Sequence, residues 1–171
     1  MRSSNATVPD TILSPRRFQT LILGQERLCL RLEGLADSLP DRIDTLAATR
    51  LAARIPPFLA ACQRREEHDV FPTLIARDPS LRPTLLRLRA EHLEDEDHAG
   101  LVAETLTAFV RDPRRSGADR LGYLLRGLFQ PLRRHAAFDR MVVLPLYRQA
   151  MAELPPLTSP PRTAARPDRG W

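Results

Sequence analysis

The sequence predicts an all-α protein, an antiparallel up-and-down bundle of four long helices. Three observations carry that prediction. Leu, Ala, Arg and Glu dominate the composition, aromatics make up only 5% of the 171 residues, and β-branched runs are nearly absent. Apolar residues recur at helical spacing along four long segments. Prolines and short polar turns separate those segments, so consecutive helices must run antiparallel. The length suits one domain able to bury a sizeable core.

Residues 1–13 are polar, carry Pro9, and read as a loose lead-in. Ser14-Pro15 then supplies an N-cap followed by proline at the first helical position. The first helix runs to about Leu39, with Phe18, Leu21, Ile22, Cys29, Leu32 and Leu35 on its apolar side, and Pro40 stops it. A second helix begins near Asp41 and places Leu46, Leu51, Ile55, Phe58, Leu59, Cys62 and Glu66 inward. Pro56-Pro57 falls inside it, so a kink or a split is expected. That segment ends at Pro72 or near Ala76, before a turn at Asp78-Pro79-Ser80.

The third helix spans about Leu81 to Val110, with Leu85, Leu88, His92, Glu96, Ala99, Val102 and Leu106 on one stripe. A loop from Asp112 to Gly117 leads into a fourth helix over Ala118–Glu153, with a kink expected near Pro131. From residue 154 the prolines and arginines read as a disordered tail, leaving 14–153 as the folded domain.

The formal charge is +5 and every one of the 26 basic residues is arginine. These arginines are scattered among acids, as in Arg64-Arg65-Glu66-Glu67, so solvated helix faces are expected and a nucleic-acid partner is disfavoured. Cys29 and Cys62 are too few for a disulfide framework. The start shows no apolar leader, and no stretch reads as a membrane span, so a bacterial cytoplasmic protein without a membrane partner is expected. The sequence also lacks a Gly-rich phosphate loop, a nucleophile elbow and a Cys-x-x-Cys pair, which favours a binding protein over an enzyme.

One pattern occurs twice. Cys62-Gln-Arg-Arg-Glu66 precedes Val70-Phe71-Pro72, and His135-Ala-Ala-Phe-Asp139 precedes Val143-Leu144-Pro145. Aligning the prolines sets Cys62 on His135 and Glu66 on Asp139. A histidine or cysteine with a carboxylate four residues on puts two ligand side chains on one helical face, one turn apart. Two such faces turned together in a bundle make a dinuclear carboxylate site. Glu26-Arg27 in the first helix matches Glu91-His92 in the third, so the repeating unit is a helical hairpin used twice.

Over residues 14–150 these residues resemble the hemerythrin-like, or HHE cation-binding, domains, four-helix bundles that hold a non-haem di-iron centre. The resemblance implies non-haem iron as cofactor, with dioxygen or nitric oxide as small ligands and a role in binding or sensing them. It implies His92 and His135 as histidine ligands and Glu66 and Asp139 as bridging carboxylates. Cys62 stands at the second-helix histidine position of the first hairpin, Gln63 where another histidine is common, and Arg27 at the first-helix histidine position. Leu88, one turn before His92, is apolar where some relatives have a further histidine. The donor set is therefore His92, His135, Asp139, Glu66 and Cys62, thin for two irons, so the resemblance implies either a di-iron or a degenerate mononuclear site. The alternative is a metal-free bundle acting as an interaction module. In it Arg27 points inward, takes the place of the metal and bridges Glu66 and Asp139. His68 and His98 fall off the inner face and are expected at the surface, and the Phe71-Pro72 and Leu144-Pro145 pairs are expected to end helices without chemistry.

Overall fold

In a computed structural model, residues 12–113 and 117–153 are described, and among them there are only helices and turns. The lead-in up to residue 11 and the tail from 154 lie outside them. Four rods form the bundle. The first is α1 (Pro15–Ser38), capped by Ser14 accepting from the Arg17 amide. The second is α2 (Thr45–Arg65), a π-helical turn (Glu66–Val70) and α3 (Phe71–Arg77). The third is α4 (Arg82–Arg111), reached through a single 3₁₀ turn at Pro79–Leu81. The fourth is α5 (Ala118–Phe138), a second π-helical turn (Asp139–Val143) and α6 (Leu144–Ala152). Leu13, just ahead of α1, is buried, and its carbonyl accepts from the Tyr147 hydroxyl on α6.

α1 packs along α5, α2 along α4, and α4 along α5, whereas α1 and α2 touch at few points. That loosest seam leaves a groove on the bundle surface. Most of the predicted boundaries hold, and several expectations change. The second helix starts at Thr45, not Asp41, because the Asp44 carboxylate caps the amides of Leu46 and Ala47 at 3.0 Å. It is not split at Pro56-Pro57: Ala48, Ala52, Ile55 and Leu59 are buried on both sides of the prolines and hold one continuous helix. Its first-turn leucine, Leu46, is 58% exposed and small alanines do the packing instead. In the fourth rod the departure from α geometry falls at Asp139–Val143, and α5 runs through Pro131.

Nor do Phe71-Pro72 and Leu144-Pro145 end helices. Each proline is the second residue of the next α-helical segment, just after a π turn. A proline in a helix lacks its own donor and its ring clashes with the carbonyl four residues back. The wider turn relieves this: the Phe71 amide donates to the Glu66 carbonyl and the Leu144 amide to that of Asp139, five residues apart in each case. The two halves thus share a backbone irregularity, and each irregularity starts at a carboxylate.

The interior is layered. One apolar cluster joins Leu28, Leu32, Ile55, Leu59, Val102, Leu106, Leu125 and Leu128; another joins Phe18, Ile22, Val70, Leu74, Leu85, Val143 and Tyr147. Each enclosed leucine contributes roughly 1.5–3 kcal/mol through burial. Between the clusters, every rod places polar residues at the same level. They are Gln25 on the first, Gln63 and Glu66 on the second, His92 and Asp95 on the third, and His135 and Asp139 on the fourth, none more than 7% exposed.

Candidate metal centre

Buried polar groups need partners, so this layer calls for a physical account. Glu66 and Asp139 open the π turns, and His92 and His135 project from α4 and α5 toward them. Glu66 Oε2 lies 3.5 Å from His92 Nε2 and 3.6 Å from His135 Nε2, and those two nitrogens are 3.3 Å apart. Asp139 Oδ2 is 3.4 Å from His135 Nε2, close enough for attraction but not aligned as a hydrogen bond. Among the described residues, Glu66, His92 and His135 each offer a ligand atom within 4.8 Å of the others. Glu66 Oε1 and both Asp139 oxygens have no hydrogen-bond partner there, nor do the Oε1 atoms of Gln25 and Gln63.

Around this core the two histidines are held differently. His92 Nδ1 lies 2.8 Å from Glu67 Oε1, so Nδ1–H donates to that carboxylate, and Arg89 Nε approaches the other Glu67 oxygen at 3.1 Å. The His92 ring also stacks on Phe71 at 5.8 Å between centroids. This chain fixes the tautomer, leaving Nε2 a lone pair that faces the interior. His135 Nδ1 has only Glu91 nearby, at 3.7 Å, and no hydrogen bond.

Burial disfavours the charged form of every group here, and neighbours decide the outcome. Burial and then the Glu66 charge push the Asp139 carboxyl up to about 7, against the pull of His135. For Glu66 burial also raises, but contacts with His135 and His92 outweigh it and hold the carboxyl at about 2. Burial would lower His135, yet Asp139 and Glu66 lift it to about 11; His92 rises against its own burial through Glu66 and Glu67. Two carboxylates facing two imidazoles therefore retain protons where a cation would sit. Asp95, buried one turn beyond His92, is raised to about 6, chiefly by burial.

The sequence-predicted residues divide clearly. Glu66, His92, His135 and Asp139 come together. Cys62 is buried beside them, but contributes no atom to the tight ligand group. Burial and the Glu66 charge push its thiol up to about 12. Arg27 does not point inward: it is exposed on α1 and cannot reach the carboxylates, so its expected role as a replacement cation is wrong. The buried polar residue of α1 is Gln25. The inward series on α1 is Phe18, Ile22, Gln25, Cys29, Leu32 and Ala36, a three–four alternation that Arg27 breaks. The same alternation on α4, through Leu85, Leu88, His92, Asp95, Ala99, Val102, Leu106 and Phe109, selects Asp95 and leaves Glu96 exposed. His68 is exposed as expected, whereas His98 is half-buried against Gly127. Glu67 gave no sequence signal beyond its place beside Glu66.

A four-helix bundle with a carboxylate–imidazole layer at mid-height is a cation-binding scaffold by architecture and chemistry. Residues 24–147 match the model of the hemerythrin HHE cation-binding domain, and the chain belongs to that family. No curated protein and no solved structure matches the chain. Among the described residues, no helix is long and apolar enough to cross a membrane.

Proposed function

We propose that the polar layer binds a single non-haem iron through Glu66, His92 and His135, with Asp139 as the adjoining fourth donor. The carrying observation is that Glu66 Oε2 and Asp139 Oδ2 lie 3.4–3.6 Å from the histidine Nε2 atoms, while Glu66 Oε1 and both Asp139 oxygens have no hydrogen-bond partner among the described residues. Two histidines and one carboxylate with open positions form a donor set suited to ferrous iron. Four protein donors are few for two ions: Cys62 and Gln63 stand where the resemblance implies histidines, and the buried polar residue of α1 is Gln25. The family resemblance with its di-iron centre thus narrows to a mononuclear reading.

Iron so held supplies an open coordination position for dioxygen or nitric oxide and a reversible one-electron change. The residues of the chain do the rest. Glu67 orients His92 through its Nδ1–H, Phe71 covers the ring face, and the two apolar clusters exclude water from above and below. Solvent reaches the His135 side through a cleft of about 480 Å³ between α4 and α5, lined by Glu91, Asp95, Arg134 and Phe138. The reading is of a bacterial cytoplasmic binding or sensing protein, with no catalytic group assigned.

Nitric oxide is the direct probe of an open position. Ferrous-loaded protein mixed anaerobically with nitric oxide is expected to develop a new visible charge-transfer band, absent from His92→Ala. Loaded protein whose spectrum does not respond to nitric oxide refutes the small-ligand role.

A further inference from the structure

The arginines that look scattered in sequence are sorted by the fold. All three acids of α1, Glu26, Glu33 and Asp37, face α5 and the turn after it. They pair with Arg140 at 3.1 Å, Arg133 at 2.7 Å and Arg126 at 3.3 Å. The opposite flank of α1 carries Arg27 and Arg31, one turn apart and toward α2. α2 itself contains no Asp or Glu and sets Arg50 and Arg54 across from them, again one turn apart. Arg42, from the connection between the two helices, closes the far end. Among the described residues none of these five arginines has an ion-pair partner, whereas Arg126, Arg133 and Arg140, facing the other flank of α1, each have one.

These side chains line the groove left by the sparse contact between α1 and α2. Two adjoining cavities of about 530 and 270 Å³ share Arg31, Leu51 and Arg54, a combined size typical of small-ligand pockets. Leu35 and Leu51 give it an apolar floor, and Phe58, packed over Gly24, bounds one end. The single acid in the lining is Asp44, whose Oδ1 is committed to the first amides of α2. Like charges four residues apart on a helix destabilise it, and here two such pairs face one another without relief. Guanidinium groups suit phosphate oxygens through paired hydrogen bonds.

We propose that the α1/α2 groove is a binding site for a small polyphosphate, a nucleoside triphosphate or an inorganic chain, held by Arg27, Arg31, Arg42, Arg50 and Arg54. Concavity favours such a ligand over duplex nucleic acid, which meets arginines on an open ridge or through an inserted helix. The groove uses none of the metal-layer residues, so this assignment stands or falls independently of the iron.

Titration calorimetry on the full chain at low ionic strength tests it, with ATP and tripolyphosphate as probes. Binding of both is expected, weakening as salt is added. Equal affinities assign recognition to the phosphates alone, and tighter ATP binding adds the apolar floor; both support the site. Arg31→Glu with Arg54→Glu is expected to weaken binding about a hundredfold, two charge-assisted contacts at about tenfold each. The melting temperature should not fall, since the substitution relieves like-charge repulsion, and Arg120→Glu, on α5, should change nothing. Absence of binding by either probe at millimolar concentration overturns the proposal, as does binding that the double variant leaves unchanged. So does binding of a short DNA duplex or of anionic phosphatidylserine vesicles in place of both probes.

Discussion

Replacing Asp139 by asparagine should stabilise the metal-free protein while removing a donor of the proposed metal site. Asp139 is fully enclosed, neither of its oxygens has a hydrogen-bond partner, and Glu66 adds a second negative charge to the same layer. Its carboxyl is pushed from 3.8 up to about 7, by burial first and the Glu66 charge second, which amounts to roughly 4 kcal/mol against the ionised form. The sign follows directly. A carboxyl raised in the folded state is tolerated when protonated, and its cost appears as pH climbs from its unfolded value to its folded one. The attraction of His135 is already contained in that value; allowing for relaxation and water penetration around a buried charge, the net gain at ~pH 8 is about 2 kcal/mol. For a domain of this size that corresponds to a melting temperature higher by roughly 5–8 °C. Asparagine mimics the protonated acid, so the gain should fade below ~pH 4. Circular dichroism melts of chelator-treated wild type and Asp139→Asn across that range provide the assay. A variant destabilised by more than about 1 kcal/mol at ~pH 8 refutes the reasoning, because Asp139 is then a structural ion-pair partner.

Other consequences follow from the same layer. Glu67→Ala should release His92 from its single tautomer, seen as mixed Nδ1–H and Nε2–H signals in long-range ¹⁵N correlation spectra. Metal affinity should drop about 10–100-fold, and Glu67→Gln should recover part of it. Gln25→His should tighten metal binding because it adds a donor at the level of the site, whereas Arg27→His should have no effect from its exposed position. Both can be read by competition with a chromophoric chelator. Metal uptake should release protons, because His135 and Asp139 are raised to about 11 and 7. Affinity should therefore rise with pH between ~pH 6 and ~pH 8, and a flat profile contradicts the proton-for-cation exchange.

The bundle was legible because its signals are local. The Ser14-Pro15 cap, the Asp78-Pro79-Ser80 turn and the heptad-like spacing on α4 each fix an element from a few neighbouring residues. The two buried carboxylates were legible through repetition: the two carboxylate–Pro segments place Glu66 and Asp139 in equivalent surroundings. Pairing Glu26-Arg27 with Glu91-His92 misled, since residue identity suggested a register two positions away from the one that the apolar spacing supports. Following Ile22 and Cys29 instead leads to Gln25. The split allowed for at Pro56-Pro57 does not occur, because continuous burial on both sides outweighs two lost helix donors. The π turns, the Glu67–His92 contact and the arginine groove depend on how separate rods meet, and no single segment encodes them. Charge that is dispersed along the chain becomes concentrated only when α1 turns its acids toward α5 and its arginines toward α2.

Anaerobic titration of the full chain with ferrous iron, with bound metal counted per chain, tests the mononuclear centre most directly. One equivalent is expected for the wild type, and none that survives desalting for Glu66→Gln combined with His135→Ala. Two equivalents, or no uptake by the wild type, contradict the assignment.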